Sequence, residues 1–168
     1  MAEADGAEFY IRRLTDEDRD DWLSMRQALW MGTDTTTQAA KAGTLLTDPE
    51  KFGVIVYDVL VAVIGERAIG FAELSLRDDL ETFGKRLVAY VEGVFVEPDW
   101  RGQGVGLALL EAAGHWARVK SVQELVSDVL ADNDVSVAFH QRAGFWRVGE
   151  TLASGKRQVL LARRVGDQ

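Results

Sequence analysis

A chain of 168 residues, 47% of them apolar, is the length of one ordinary domain and carries enough apolar material for a core. It has no cysteine and only two histidines, His115 and His140, which excludes a disulfide framework and a thiolate nucleophile and gives no reason to expect a metal centre. A net charge of −8 speaks against a nucleic-acid partner and suits either a cationic substrate or plain solubility.

Residues 1–8 are acidic and lack an apolar core, so they read as a flexible N-terminal extension ahead of a single domain over 9–168. Nothing approaches the ~20 uncharged residues of a membrane span, and the chain reads as cytoplasmic, with no membrane association. Phe9 to Arg13 predicts a short first strand. Thr15 with Asp18 is a capping signal, and Trp22, Met25, Arg26, Leu29 and Trp30 then recur at helical spacing. Thr35 to Leu46 predicts a second helix, weak because its apolar positions are mostly alanine, closed by Asp48-Pro49-Glu50. Val54 to Ile64 and Ile69 to Leu76 predict a hairpin turning at Gly65-Glu66-Arg67.

After a polar insert, Leu87 to Val96 predicts a fourth strand, followed by a helix over Gly104 to Lys120 with Leu107, Leu109, Leu110, Ala113 and Trp116 as its apolar stripe. Glu124 to Leu130 predicts a strand and Val135 to Arg142 a short helix. Phe145 to Leu152 and Arg157 to Arg164 predict two closing strands. The expected order is β-α-α-β-β-β-α-β-α-β-β.

The join between the fourth strand and its helix holds most of the chemistry. Gly102, Gly104 and Gly106 allow close backbone approach and positive φ, and the first N–H groups of the following helix point back at an anion, so a pyrophosphate suits this loop. It is neither a Walker sequence, which ends in Gly-Lys-Ser/Thr, nor a dinucleotide fingerprint. Glu92 lies two residues before Val94, which places both on one strand face, and a buried acid there needs a partner such as an ammonium. Asp34 and Glu97 are further acids that the spacing does not single out.

Arg101-Gly102-Gln103-Gly104-Val105-Gly106 resembles the acetyl-CoA loop of the GNAT N-acetyltransferases. Tyr90 to Pro98, Ser127-Asp128 with Asp132-Asn133, and Ala138 to Phe145 are similar to that family's central strand, fifth-strand exit and closing helix with its Gly-Phe turn. Within the family, Val91-Glu92-Gly93-Val94-Phe95-Val96, Ser127 to Asn133, His140 to Phe145 and Leu29-Trp30 look most like the aminoglycoside 6′-N-acetyltransferases. The resemblance implies an α/β GNAT fold, a mixed central sheet splayed between strands 4 and 5, acetyl-CoA as co-substrate and an aminoglycoside as acceptor.

It further implies cofactor contacts at Val94, Phe95, Val96, Arg101, Gly102, Gln103, Gly104, Val105, Gly106, Leu107 and Asn133. The catalytic groups are expected to be Glu92 and Asp128, as carboxylates near the amine, and His140 where many relatives carry a tyrosine that protonates the thiolate. Substrate contacts are expected at Trp30, Glu92, Asp128, Asp79 and Glu150. Relatives are often homodimers, and Arg157 to Val165 has the alternation of such an interface strand. Two other readings stay open: the same fold acting on a polyamine, small amine metabolite or protein N-terminus, and a non-catalytic acetyl-CoA-binding module.

Overall fold

The computed structural model describes residues 8–31, 35–153 and 155–166. β1 (Tyr10–Arg13) leads into α1 (Arg19–Leu29), α2 (Thr35–Thr47), β2 (Val56–Ile64), β3 (Arg67–Arg77) and β4 (Val88–Val96). α3 (Val105–Val119), β5 (Glu124–Leu130), α4 (Asp134–Arg142), β6 (Trp146–Ala153) and β7 (Lys156–Arg164) complete the chain. The element order is the one read from the sequence, and most boundaries move by a residue or two. β3 extends further than its apolar run, which brings Arg77 onto the strand opposite Val88. Residues 1–7 of the expected extension lie outside the described residues.

The strands form one seven-stranded sheet in the order β1-β2-β3-β4-β5-β7-β6, antiparallel except for the β4–β5 pair. α3 covers one face. Its Val105, Leu109, Leu110, Ala113 and Ala117 repeat every three to four residues and pack on Leu74, Ala89, Val91 and Leu125 of the strands. Leu107, expected in that stripe, is 38% exposed, and Val105 takes its place at 1%.

The other face lies under α1 and α2, where Trp22, Met25, Ala42 and Leu45 meet Val59, Val61 and Phe71. Asp18 accepts the Thr15 N–H at 2.8 Å as the capping signal requires, although a 3₁₀ turn at Asp16–Asp18 comes before α1. The threonines of α2 each cost up to about 0.7 kcal/mol relative to alanine. Burying a side chain such as Leu45 returns about 1.5–3 kcal/mol, so tertiary packing and not propensity holds this helix.

The ladder between β4 and β5 covers only Ala89–Leu125, Tyr90–Val126 and Val91–Ser127, after which the strands diverge. The register between β3 and β4 identifies the cause. Glu73 faces Gly93 and Leu74 faces Val91, so Glu92 is an extra, unpaired residue. Such a bulge bends its strand and increases its twist. β4 leaves β5 at this residue, and a cleft opens between them.

Candidate active site

The loop side of the cleft is built from backbone. Gly102 and Gly104 have φ of 74° and 87°, conformations that L side chains adopt only under strain, and space is open where either Cβ would stand. Gly104 is the N-cap of α3 and no side chain caps that end, so the first-turn N–H groups are left for an anion. Arg101 folds back, its Nε donating to the Val96 carbonyl at 2.8 Å, and Gln103 Nε2 donates to the Asp99 carbonyl at 3.2 Å. Both side chains brace the loop while its main chain faces outward. Gly106 packs against Phe139 of α4, where a Cβ would lie 2.9 Å from the ring. These residues fit a pyrophosphate.

The exposed edge of β4 continues the surface. Glu97 donates its N–H to Ile69 of β3 at 2.8 Å; alternation along the strand therefore aims the N–H groups of Val94 and Val96 away from β3, into the gap left by β5. Across the gap Asn133 caps α4, its Oδ1 accepting the Ser136 N–H at 3.1 Å, and it lines the cleft. Phe95 turns to the opposite face, over Phe71 and under the Arg101 guanidinium.

Beyond this edge lies a cleft of 470 Å³, lined among others by Leu29, Trp30, Glu92, Gly93, Ser127, Asp128, His140, Lys156 and Gln158. Trp30, Glu92 and Asp128 thus come together from α1, β4 and β5. Glu92 and Val94 do not share a face as expected from simple alternation, because the bulge at Glu92 reverses the pleat. Val94 packs toward α3, while Glu92 turns to the α1–α2 side. There Arg77 forks onto it, with Nε to Oε1 at 2.8 Å and Nη2 to Oε1 and Oε2 at 2.6 and 2.8 Å, and Ser75 Oγ donates at 2.7 Å. The Arg77 guanidinium also lies 4.3 Å from the centre of the Tyr90 ring. The Tyr90 hydroxyl in turn donates a hydrogen bond to Asp128. Burial, reinforced by the Asp128 charge, pushes the Tyr90 phenol up, so it stays protonated and donating.

His140 is 1% exposed. Its Nδ1 lies 2.8 Å from the Ser136 carbonyl, which only accepts, so Nδ1 carries the proton and Nε2, 2.9 Å from Ser127 Oγ, receives the hydroxyl proton. Burial lowers the His140 pKa. The neutral ring is consequently an acceptor toward the cleft, and any proton it delivers there must first be acquired against desolvation.

Other expected contacts fall elsewhere. Asp79 is exposed beyond the end of β3, and Glu150 on β6 pairs with Arg147 and Arg157; neither lines the cleft. Asp34 lies outside the described residues. Trp100 packs against the core beside α3. Sequence reasoning missed Arg77 as the partner of Glu92 and Tyr90 as the partner of Asp128. Strand alternation carried the signal, since Ser75 and Arg77 share one face of β3 and Tyr90 and Glu92 one face of β4. Lys156 was also missed. Among the described residues no group of His, Cys, Asp and Glu is arranged for a metal ion, and no helix is long and apolar enough to cross a membrane.

Comparison with known proteins gives three concordant results. Residues 11–145 match the Acetyltransferase (GNAT) family. An aminoglycoside N(6′)-acetyltransferase type 1 of Klebsiella aerogenes is 40% identical over 141 residues, covering 83% of this chain and 91% of that protein. One of the same name from Stenotrophomonas maltophilia is 35% identical over 136 residues, covering 80% and 84%. Among solved structures, AAC(6′)-Iy in complex with the bisubstrate analog CoA-S-monomethyl-acetylneamine superposes with a TM-score of 0.76 at 27% identity, over 87% of this chain and 96% of that one.

Proposed function

The chain belongs to the acetyltransferase (GNAT) family, and from that premise we propose that it moves the acetyl group of acetyl-CoA directly to the 6′-amine of an aminoglycoside, in a ternary complex. The observation that carries this reading is the cleft at the β4–β5 divergence, which gathers Glu92, Asp128 and Trp30 and which Val94 of the exposed β4 edge also lines, with an anion-binding loop following that strand. The names of the relatives at 40% and 35% identity support the choice of acceptor.

Acetyl-CoA, when bound, supplies an activated thioester carbonyl. In the proposed arrangement the backbone of residues 102–106 and the first turn of α3 hold its pyrophosphate, and Arg101 and Gln103 keep that loop shaped. The free N–H groups of Val94 and Val96 pair with the pantetheine arm and polarise the carbonyl, and Asn133 contacts the arm from α4. Leu107, exposed on the first turn, extends this surface from the helix, whereas Val105 is buried and offers only its backbone. Asp128, oriented by the Tyr90 hydroxyl, accepts the proton that the attacking amine sheds, and Glu92 attracts an ammonium while Arg77 holds it in place. To protonate the departing CoA thiolate, His140 first takes up a proton at Nε2, and the Ser127 hydroxyl then accepts from that N–H while passing its own proton to the sulfur. Trp30 flanks a sugar ring. No acyl-enzyme is needed, because an amine held neutral beside the thioester can attack its carbonyl directly.

Purified protein with acetyl-CoA is expected to release CoA thiol with kanamycin or tobramycin, and to leave 6′-hydroxy aminoglycosides unmodified. Thiol release no faster than the drug-free rate would reject the acceptor. Arg77 against Glu92, together with Lys156 in the cleft lining, favours a second reading in which the acceptor is a small monoamine. That enzyme would turn over simple amines faster than either drug. Acetylation of the 6′-amine removes a charge and donor from the drug, so resistance is the proposed biological consequence, with the protein acting in the cytoplasm as a homodimer.

A further inference from the structure

Behind Trp30 lies a polar cluster that the proposed chemistry does not use. Arg26 is 3% exposed and Glu73 is 0% exposed. The Arg26 guanidinium forks onto Glu73, Nε to Oε2 at 2.6 Å and Nη2 to Oε1 at 2.8 Å. Its third nitrogen donates to Gln38 Oε1 on α2 at 2.6 Å, and Trp22 Nε1 donates to Glu73 at 3.1 Å. The same guanidinium lies 4.5 Å from the centre of the Trp30 ring. The far edge of that ring rests on Gly93 so closely that a Cβ there would be 2.7 Å from Cζ2. One side chain therefore joins β3, α1 and α2, and presses the cleft tryptophan against β4.

Removing two charges from water rarely adds net stability over apolar packing of the same volume, so this pair needs another explanation. Apolar contacts between α1, α2 and the sheet are non-directional and would let Trp30, the residue that ends α1, tilt or slide. A planar fork fixes orientation as well as distance.

We infer that Arg26 is a positioning residue for the acceptor wall, locking the Trp30 indole and the α2 segment relative to Gly93 and Glu92. The inference rests on the reading that the amine acceptor lies on the Trp30 side of the cleft. Arg26, 3% exposed with its nitrogens committed to Glu73 and Gln38, acts on the acceptor through Trp30. Arg26→Lys keeps the charge but loses both the fork and the stacking plane.

The test is a double-mutant cycle of Arg26→Lys and Trp30→Phe, read as KM and kcat for tobramycin and KM for acetyl-CoA, with Gln38→Met as a milder variant. The expected result is a rise of about tenfold in the tobramycin KM for Arg26→Lys, a smaller rise for Gln38→Met, and an acetyl-CoA KM within about twofold of wild type. In the double variant the two rises should not multiply, as befits residues in contact. If Arg26→Lys does not fold, the cycle of Gln38→Met with Trp30→Phe reads the same coupling. A lowered Tm with an unchanged acceptor KM, or rises that multiply, would overturn the inference and leave a merely structural pair. Turnover of tobramycin by the wild-type protein tests the acceptor assignment separately. If another amine is the acceptor, the same ratios are read with that amine.

Discussion

Replacing Gly93 by alanine tests the geometry of the acceptor wall most directly. The added methyl would stand 2.7 Å from Trp30 Cζ2, 2.8 Å from Cη2 and 3.0 Å from Leu29 Cδ2. Carbon atoms in comfortable contact are about 3.5–4.0 Å apart, so the indole must retreat by roughly 1 Å. It has little room to do so, because the Arg26 guanidinium lies 4.5 Å from its centre and the Phe71 ring 6.3 Å away. Overpacking of this kind costs about 1–3 kcal/mol. For a chain of this length each kcal/mol moves Tm by about 2–4 °C. Thermal unfolding of Gly93→Ala should therefore show a fall of several degrees. Steady-state kinetics should show the acceptor KM rising about tenfold while the acetyl-CoA KM stays within about twofold, since the added methyl points at Trp30 and Leu29, on the sheet face away from the Val94 side chain. A variant with wild-type Tm and wild-type acceptor KM would refute the argument, because it would mean that Trp30 is not confined where the structure puts it.

Further outcomes follow from the same geometry. Asp128→Asn should lower kcat by about 10²–10⁴-fold with little change in Tm, since the amide oxygen still accepts the Tyr90 hydroxyl; a kcat within about tenfold of wild type removes Asp128 as the base. Gly104→Ala places a Cβ at a φ of 87°, costing about 1–2 kcal/mol, and should raise the acetyl-CoA KM more than the acceptor KM; equal rises would argue against a cofactor loop. Burial lowers the folded-state pKa of His140 below its ordinary value of 6.5, so the unfolded chain takes up this proton more readily. The stability it contributes is full above the unfolded value and is lost as pH falls through 6.5 toward the folded value. Tm followed from neutral pH to about pH 5 should fall in the wild type and fall less steeply in His140→Gln, whose side chain takes no proton. Identical slopes would place the ring in water.

Much of the fold was legible because its signals are local. The glycine loop announces itself through backbone conformations that only glycine adopts cheaply, and Asn133 through the capping preference of its side chain. The strand expected over Val54 to Ile64 follows from its nearly continuous run of β-branched and aliphatic residues and the α3 stripe from periodicity, although Leu107 shows that one-dimensional spacing misplaces a residue at a helix start. Alternation failed at Glu92 because a bulge changes the parity of every residue after it, and the one local signal, Gly93 inside the strand, fits a close approach such as that of Trp30 as well as it fits a bulge. Glu150 was expected at the site through the family resemblance alone, and in the structure it pairs with Arg147 on β6 and Arg157 on β7, outside the cleft lining.

By itself the sequence determined the order of elements, the anion-binding loop and the presence of one carboxylate on each of the fourth and fifth strands, since each depends on residues close together in the chain. Tertiary structure alone decided the state of those carboxylates and of the histidine beside them: Arg77 claims Glu92, Tyr90 claims Asp128, and Ser127 donates to the His140 ring, whose tautomer the Ser136 carbonyl fixes. These pairings join residues on different strands and helices. Their energies depend on burial and on distances of a few ångströms, quantities that exist only once the sheet has formed and β4 has bent away from β5.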